Sequence, residues 1–281
     1  MKPLSPEELK IYQMNILDTV AEFCEKNNIK YWIDSGTLLG AIRHGRYIPW
    51  DDDIDIGMLR EDYDRFLSEF NETSEEFKVY SIENNQDFPY PFAKVLDLST
   101  ELYEPNKELG QKLNVNIDIF VFDLAPDDGQ KLKKMYDKRD LLRRLHDIRN
   151  PVCPLSKNPV KKVVMAILRV LIKVFPKNFF MKKMAQNSKK YAAQNFENVG
   201  NFTAFSRISC SKHVFDECID VKFEGRTYKM PAGYDEWLKA FYGDYMQLPP
   251  EEKRVSHHQF EAFAKIKGEI LNEKDINLRS V

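Results

Sequence analysis

The 281 residues carry 42 basic against 44 acidic side chains, a formal charge of -2, so no global polyanion attraction exists and a nucleic-acid partner is not expected. Hydrophobic residues make up 43% of the chain, enough for a sizeable core in one large or two small domains. The four cysteines, Cys24, Cys153, Cys210 and Cys218, are too scattered for a disulfide framework, and the polar, acidic start lacks the apolar core of a signal peptide, so a reducing, cytoplasmic setting is expected.

Ser5-Pro6-Glu7-Glu8 has the form of a capping box, and a helix should follow with apolar positions Ile11, Met14, Ile16, Leu17, Val20, Ala21 and Phe23, ending near Lys26-Asn27-Asn28. Ile29 to Ile33 reads as a short strand, Ser35-Gly36-Thr37 as a turn and Leu38 to Arg43 as a short helix. Asp53 to Gly57 alternates at period two, which places Asp53 and Asp55 on one strand face and Ile54 and Ile56 on the other. Glu61 to Phe70 suits a helix; Phe77 to Ile82, Phe92 to Leu96 and Val115 to Phe122 suit strands, the last with Asn116, Asp118 and Phe120 on one face. Beyond Pro126 the texture turns basic and helical, which predicts a catalytic core over 1–125 and a helical, basic subdomain over 126–281. Within it, Val160 to Met184, broken by Pro176, suits either a packed helix pair or a cationic amphipathic helix on a membrane surface, and it falls short of the roughly 20 apolar residues of a membrane span.

Asp51, Asp52, Asp53 and Asp55 crowd into five residues beside Trp50, Ile54 and Ile56. Like charges this close repel unless a cation neutralises them, and hard oxygen ligands favour Mg2+ or Mn2+ bridging substrate phosphates. A lone acidic run is more often a solvated turn, but three features weigh against that here. Gly36 and Thr37 offer backbone amides and a hydroxyl to phosphate oxygens at a helix start. Asp118 lies on a separate apolar strand, where a carboxylate without a partner is costly. Arg43 and His44 add positive charge close by.

Together these resemble a nucleotidyltransferase fold, and the string from Ser35 to Ile56, with Asn116-Ile117-Asp118-Ile119-Phe120 and Tyr242 to Pro250, resembles the signature of the LicD family, which includes the fukutin-type proteins. That resemblance implies an α+β fold, a mixed sheet flanked by helices, with a mostly helical C-terminal half. It implies transfer of phosphocholine from CDP-choline, or of a related phospho-alditol from its CDP-linked donor, to a glycan hydroxyl in teichoic acid, lipopolysaccharide, capsule or a lipid-linked precursor. The metal ligands it implies are Asp53 and Asp55, with Asp51 as a further one, and Asp118 as the third acidic residue, serving either as ligand or as proton acceptor. Thr37 stands where the wider fold usually has Ser, and a hydroxyl is retained.

Weaker signals accompany these. Arg43 suits a phosphate clamp or an ion pair with the acidic run, and Lys94 either faces the site or snorkels to water. His257 and His258 suit phosphate binding better than a shared metal, since neighbouring side chains diverge. Cys210, His213 and Cys218, with Cys153, have a loosely zinc-like spacing, although free cysteines more often pack as small hydrophobes. Tyr31, Trp32, Tyr47, Trp50, Tyr90 and Phe92 suit either core packing or a quaternary ammonium. Two other functions compete: attachment of a nucleoside monophosphate by a true nucleotidyltransferase, and glycan binding without catalysis, which should show the loss of a metal carboxylate.

Overall fold

The computed structural model describes residues 1–103, 112–149, 158–256 and 261–265. A two-residue strand, β1 (Lys2–Pro3), leads into α1 (Pro6–Lys26). The capping box forms: Glu8 N–H donates to Ser5 Oγ at 3.2 Å and Ser5 N–H to Glu8 Oε2 at 3.0 Å. The helix buries the expected stripe against the sheet, except that Ile11 points outward and is 57% exposed.

The chain continues through β2 (Trp32–Ile33), α2 (Ser35–His44), β3 (Asp55–Leu59) and α3 (Arg60–Glu69). Two sequence expectations shift here. Ser35-Gly36-Thr37 is the first turn of α2 rather than a separate turn, and β3 begins at Asp55, so Asp53 lies before the strand and does not share its face. Pairing decides the second point: the Asp118 N–H to Ile54 O bond opens the ladder with the neighbouring strand, whose register runs from Asp55 opposite Asp118 onward.

Next come β4 (Phe77–Tyr80), β5 (Ala93–Asp97), β6 (Thr100–Tyr103), β7 (Lys112–Leu113) and the long β8 (Asn116–Ala125). β8 is the spine of the main sheet. One edge pairs in parallel with β3, whose other edge pairs antiparallel with β2; on its opposite edge, the first half of β8 pairs antiparallel with β5, which carries β4. Gly57 is required in β3 because an added Cβ would fall 2.3 Å from Trp32 Nε1, and that indole stacks on Phe215 at 4.3 Å.

Beyond residue 126 the expected helices appear as α4 (Gly129–Arg149), α5 (Pro159–Ile172) and α6 (Phe179–Ser188), which share a small apolar core around Leu142, Ile172, Phe180, Met181 and Met184. The C-terminal half is not mostly helical to its end. β9 (Asn198–Gly200) and β10 (Ser209–Ser211) extend the main sheet from the second half of β8, β11 (Cys218–Phe223) and β12 (Arg226–Pro231) form a hairpin, and α7 (Tyr234–Tyr242) follows. β13 (Glu261–Ala264) joins β1 and β6 in a second sheet that ends in β7. The result is an α+β fold in which strands from both halves of the chain share one sheet.

Candidate active site

The start of β3 is fastened to the start of α2. Asp34 N–H donates to Asp55 O at 2.9 Å, and Asp55 N–H donates to Thr37 Oγ1 at 2.9 Å. Thr37 is 3% exposed and does not line the cavity beyond, so its hydroxyl positions Asp55 rather than meeting a phosphate. Ser35 and Gly36 do line it, at the positive end of the α2 dipole. A Cβ at Gly36 would lie 2.5 Å from Asp51 Oδ2, so any side chain there displaces that carboxylate. Ser35 holds a φ of 49°, a left-handed conformation that costs a non-glycine residue on the order of 1 kcal/mol.

Asp51, Asp52 and Asp53 bring one carboxylate oxygen each within 4.8 Å of one another; among the described residues this is the group of acidic, histidine and cysteine side chains compact enough for a metal ion. Asp55 and Asp118 sit side by side as Cα partners on the parallel pair β3 and β8. Burial, then the charges of Asp53 and Asp118, hold the Asp55 carboxyl well above the usual carboxylate range. Burial and then Asp53 push Asp51 up to about 7, and burial pushes Asp34, which accepts from Trp237 Nε1 at 2.6 Å, up to about 6. The donor set is all hard oxygen and its members repel one another in a desolvated place, which fits a divalent cation.

Lys94 answers part of that charge. Only 6% exposed, it places Nζ on Asp118 Oδ1 and, at 3.0 Å, on Asn116 Oδ1, so it faces the site and does not snorkel outward. Its Nζ also lies 4.8 Å from the Tyr90 ring centroid and 5.4 Å from that of Phe92.

Apart from Thr37, these groups open onto one cavity of about 1410 Å³. Arg43 and Trp50 line it, whereas His44 does not and instead accepts from Arg43 Nε at 3.0 Å. Arg43 Nη1 donates to Tyr245 O at 2.9 Å, so its partners are His44 and that carbonyl rather than the acidic run. Of the aromatic residues, Trp50, Tyr90 and Phe92 line the cavity; Tyr31, Trp32 and Tyr47 are core. His257 and His258 lie outside the described residues, as does Cys153. The zinc-like spacing assembles nothing among the described residues: Cys210 is buried, while His213 is exposed with Nδ1 at 2.6 Å from Asp216 Oδ2.

Sequence reasoning counted Asp52 in the acidic run without giving it a ligand role, and passed over Asp34 and the part of the cavity where Arg143 and His146 of α4 meet Asn178, Met181 and Met184 at α6. Asp34 was findable as a carboxylate placed directly before the glycine turn; Arg143 and His146 read locally as an ordinary polar helix. The Tyr242 to Pro250 stretch closes the cavity from the C-terminal side. No helix among the described residues is long and apolar enough to cross a membrane.

The profile of the LicD/FKTN/FKRP nucleotidyltransferase domain matches residues 28–165, which span the acidic cluster, Lys94 and Asp118. The chain is 33% identical over 270 residues to the lipopolysaccharide cholinephosphotransferase LicD of Haemophilus influenzae, covering 94% of this chain and 99% of that protein. It is 53% identical over 38 residues to the human ribitol 5-phosphate transferase FKRP, 14% of this chain and 8% of that one.

Proposed function

The chain belongs to the LicD family and is a LicD-type phosphotransferase, and from that premise we propose that it transfers phosphocholine from CDP-choline to a hydroxyl of a lipopolysaccharide or related cell-surface glycan in a metal-dependent reaction. The observation carrying the reading is the meeting of Asp51, Asp53, Asp55 and Asp118 on one wall of a large cavity, beside the α2 N-terminus. Asp51 and Asp53 of the compact group, with the neighbouring Asp55 that feels both their charges, would hold Mg2+ or Mn2+, which when bound neutralises charge on the donor's diphosphate oxygens, and Asp52 completes the compact group.

The chain's own groups do the rest. The Ser35 and Gly36 backbone at the α2 start orients a phosphate, and Arg43 stands on the same wall. The aromatic faces near Lys94 already host one cation, a chemistry suited to a quaternary ammonium beside Trp50. Asp118 has its counter-charge in Lys94 and lies outside the compact Asp51 to Asp53 group, so it stays free of the metal and is placed at the cavity wall to take the proton of the acceptor hydroxyl. The acceptor hydroxyl oxygen forms a bond to the choline-bearing phosphorus, its proton passes to Asp118, and the bond to the CMP oxygen breaks, releasing CMP. The helical segment after residue 126 supplies the acceptor end of the cavity through Arg143, His146 and Asn178. The free cysteines and the CDP-linked donor fit action in the cytoplasm.

The test is a comparison of CDP-choline, CDP-ribitol and CDP-glycerol carrying label in either half, with CMP release followed at and without Mg2+. Label from the choline half on the acceptor, with free CMP, is expected. Label from the cytidine half would instead establish nucleotidyl transfer, and no turnover of any donor would favour a glycan-binding protein.

A further inference from the structure

From Ile148 to Phe196 the sequence contains eleven Lys or Arg and no Asp or Glu, although the whole chain is nearly neutral. In the middle of that stretch lies α5, 14 residues and about 21 Å long. Asn158 Oδ1 caps it by accepting from Val160 N–H at 3.0 Å and Lys161 N–H at 3.1 Å.

The helix has two apolar stripes and buries the smaller one. Ile172, 4% exposed, and Leu168 pack on the core of α4 and α6. Val160, Val163, Val164, Ile167, Val170 and Leu171, with Val174 just beyond, recur at the three-and-four spacing of one helix face, and each is between 55% and 81% exposed. A soluble domain rarely leaves so continuous an apolar strip uncovered. The helix is not loosely attached: Arg169 Nε donates to Ile148 O at 2.7 Å, and Arg149 Nη1 donates to Ile172 O at 3.1 Å and Phe175 O at 2.6 Å. Its outward face is therefore held outward by side chains that grip the helix from within.

We propose that α5 is a docking helix that lies along an anionic lipid bilayer surface, its apolar face in the acyl boundary and Lys161, Lys162 and Lys173 against the headgroups. Charge decides the occupant. A second copy of the chain would bring two strips free of acidic residues together, like sign against like sign, whereas anionic headgroups complement them. At 14 residues the helix is too short to span and long enough to lie flat. Pro176 separates α5 from α6, whose Met181 and Met184 line the far end of the active-site cavity. Docking thus sets the acceptor end of that cavity beside the membrane, where a lipid-linked glycan would present its hydroxyl; this consequence rests on the transfer reading, while the docking itself does not.

Flotation of the full chain with vesicles of phosphatidylglycerol and phosphatidylcholine tests the proposal without any catalytic readout. The wild type should float with these vesicles, bind pure phosphatidylcholine at least about tenfold more weakly, and detach as salt rises. The triple variant Val163→Glu, Ile167→Glu, Val170→Glu should lose about tenfold or more in binding, and Lys161→Gln, Lys162→Gln, Lys173→Gln, which leaves the packing untouched, should lose a comparable factor. Wild-type protein that stays with the soluble fraction, or a glutamate variant that floats as well as wild type, would overturn the proposal. So would wild-type dimers that the glutamate substitutions convert to monomers, which would assign the face to a second copy. Failure to release CMP in a donor assay would leave the flotation result standing, so the two readings fail separately.

Discussion

Asp55 and Asp118 are Cα partners on adjacent parallel strands, and the second of them is held by Lys94 from the antiparallel strand on its other side. Three neighbouring strands thus deliver a carboxylate, a carboxylate and an ammonium to one row of the sheet, beneath the Asp51 to Asp53 cluster.

That row makes Lys94 more than an edge residue. Lys94→Met should leave Asp118 beside Asp55 without its counter-charge and lower CMP release about 10²-fold, as loss of one preorganised polar group in a dry site commonly does. Steady-state assays on a variant whose circular dichroism matches wild type check it; near-normal turnover would remove Lys94 from the mechanism.

Thr37 separates a positioning role from a phosphate-binding one. Thr37→Val would strand the buried Asp55 N–H and should cost about 1–3 kcal/mol in urea unfolding, while Thr37→Ser should retain most of the stability and activity. A valine variant as stable as wild type but weak in donor binding would return the hydroxyl to the phosphate.

Gly36→Ala is expected to displace the Asp51 side chain, whose Oδ2 occupies the space of the added methyl. Because only a side-chain end must move, thermal stability should change by less than about 1 kcal/mol. The Mg2+ concentration for half-maximal CMP release should rise several-fold. Unchanged metal dependence would exclude Asp51 from the ion's shell.

Away from the chemistry, Arg60 grips Asp123 with two bonds of 2.8 Å, from Nε and Nη2, and Ser188 Oγ bonds the same carboxylate, tying α3, β8 and α6 together. Asp123→Ala removes the two-bond partner of Arg60, which keeps Glu83 and Asp64 on Nη1, and leaves the buried Ser188 hydroxyl without its acceptor, so it should destabilise by about 1–3 kcal/mol, measured by denaturant unfolding. Adding Arg60→Met should cost less than it does in the wild-type background, because the bidentate bond to Asp123 is already gone.

Much of this was legible before any coordinates. The Ser5 to Glu8 capping box and the β8 face bearing Asn116, Asp118 and Phe120 are local patterns, and local patterns survive folding. What escaped depends on partners distant in sequence. The first ladder bond of β3 is set by β8, so alternation around Asp53 and Asp55 overstated the strand. Thr37 and Gly36 look equally suited to phosphate in the sequence, yet one hydroxyl is taken by a backbone amide eighteen residues away. Arg143 and His146 join the cavity only because α4 packs on α6. The amphipathic character of Val160 to Met184, broken by Pro176, is also readable, but periodicity alone cannot say which of the two apolar stripes of α5 faces outward.

Whether these carboxylates hold a divalent ion for transfer from a CDP-linked donor is decided by titrating Mg2+ into chelator-treated wild type and Asp55→Asn while CMP release from CDP-choline is followed. Wild type should be silent without metal and saturate as it is restored, whereas Asp55→Asn, folded as judged by its thermal transition, should stay at least about 10²-fold slower at every concentration. Metal-independent CMP release by wild type, or an asparagine variant that matches it, would contradict the account.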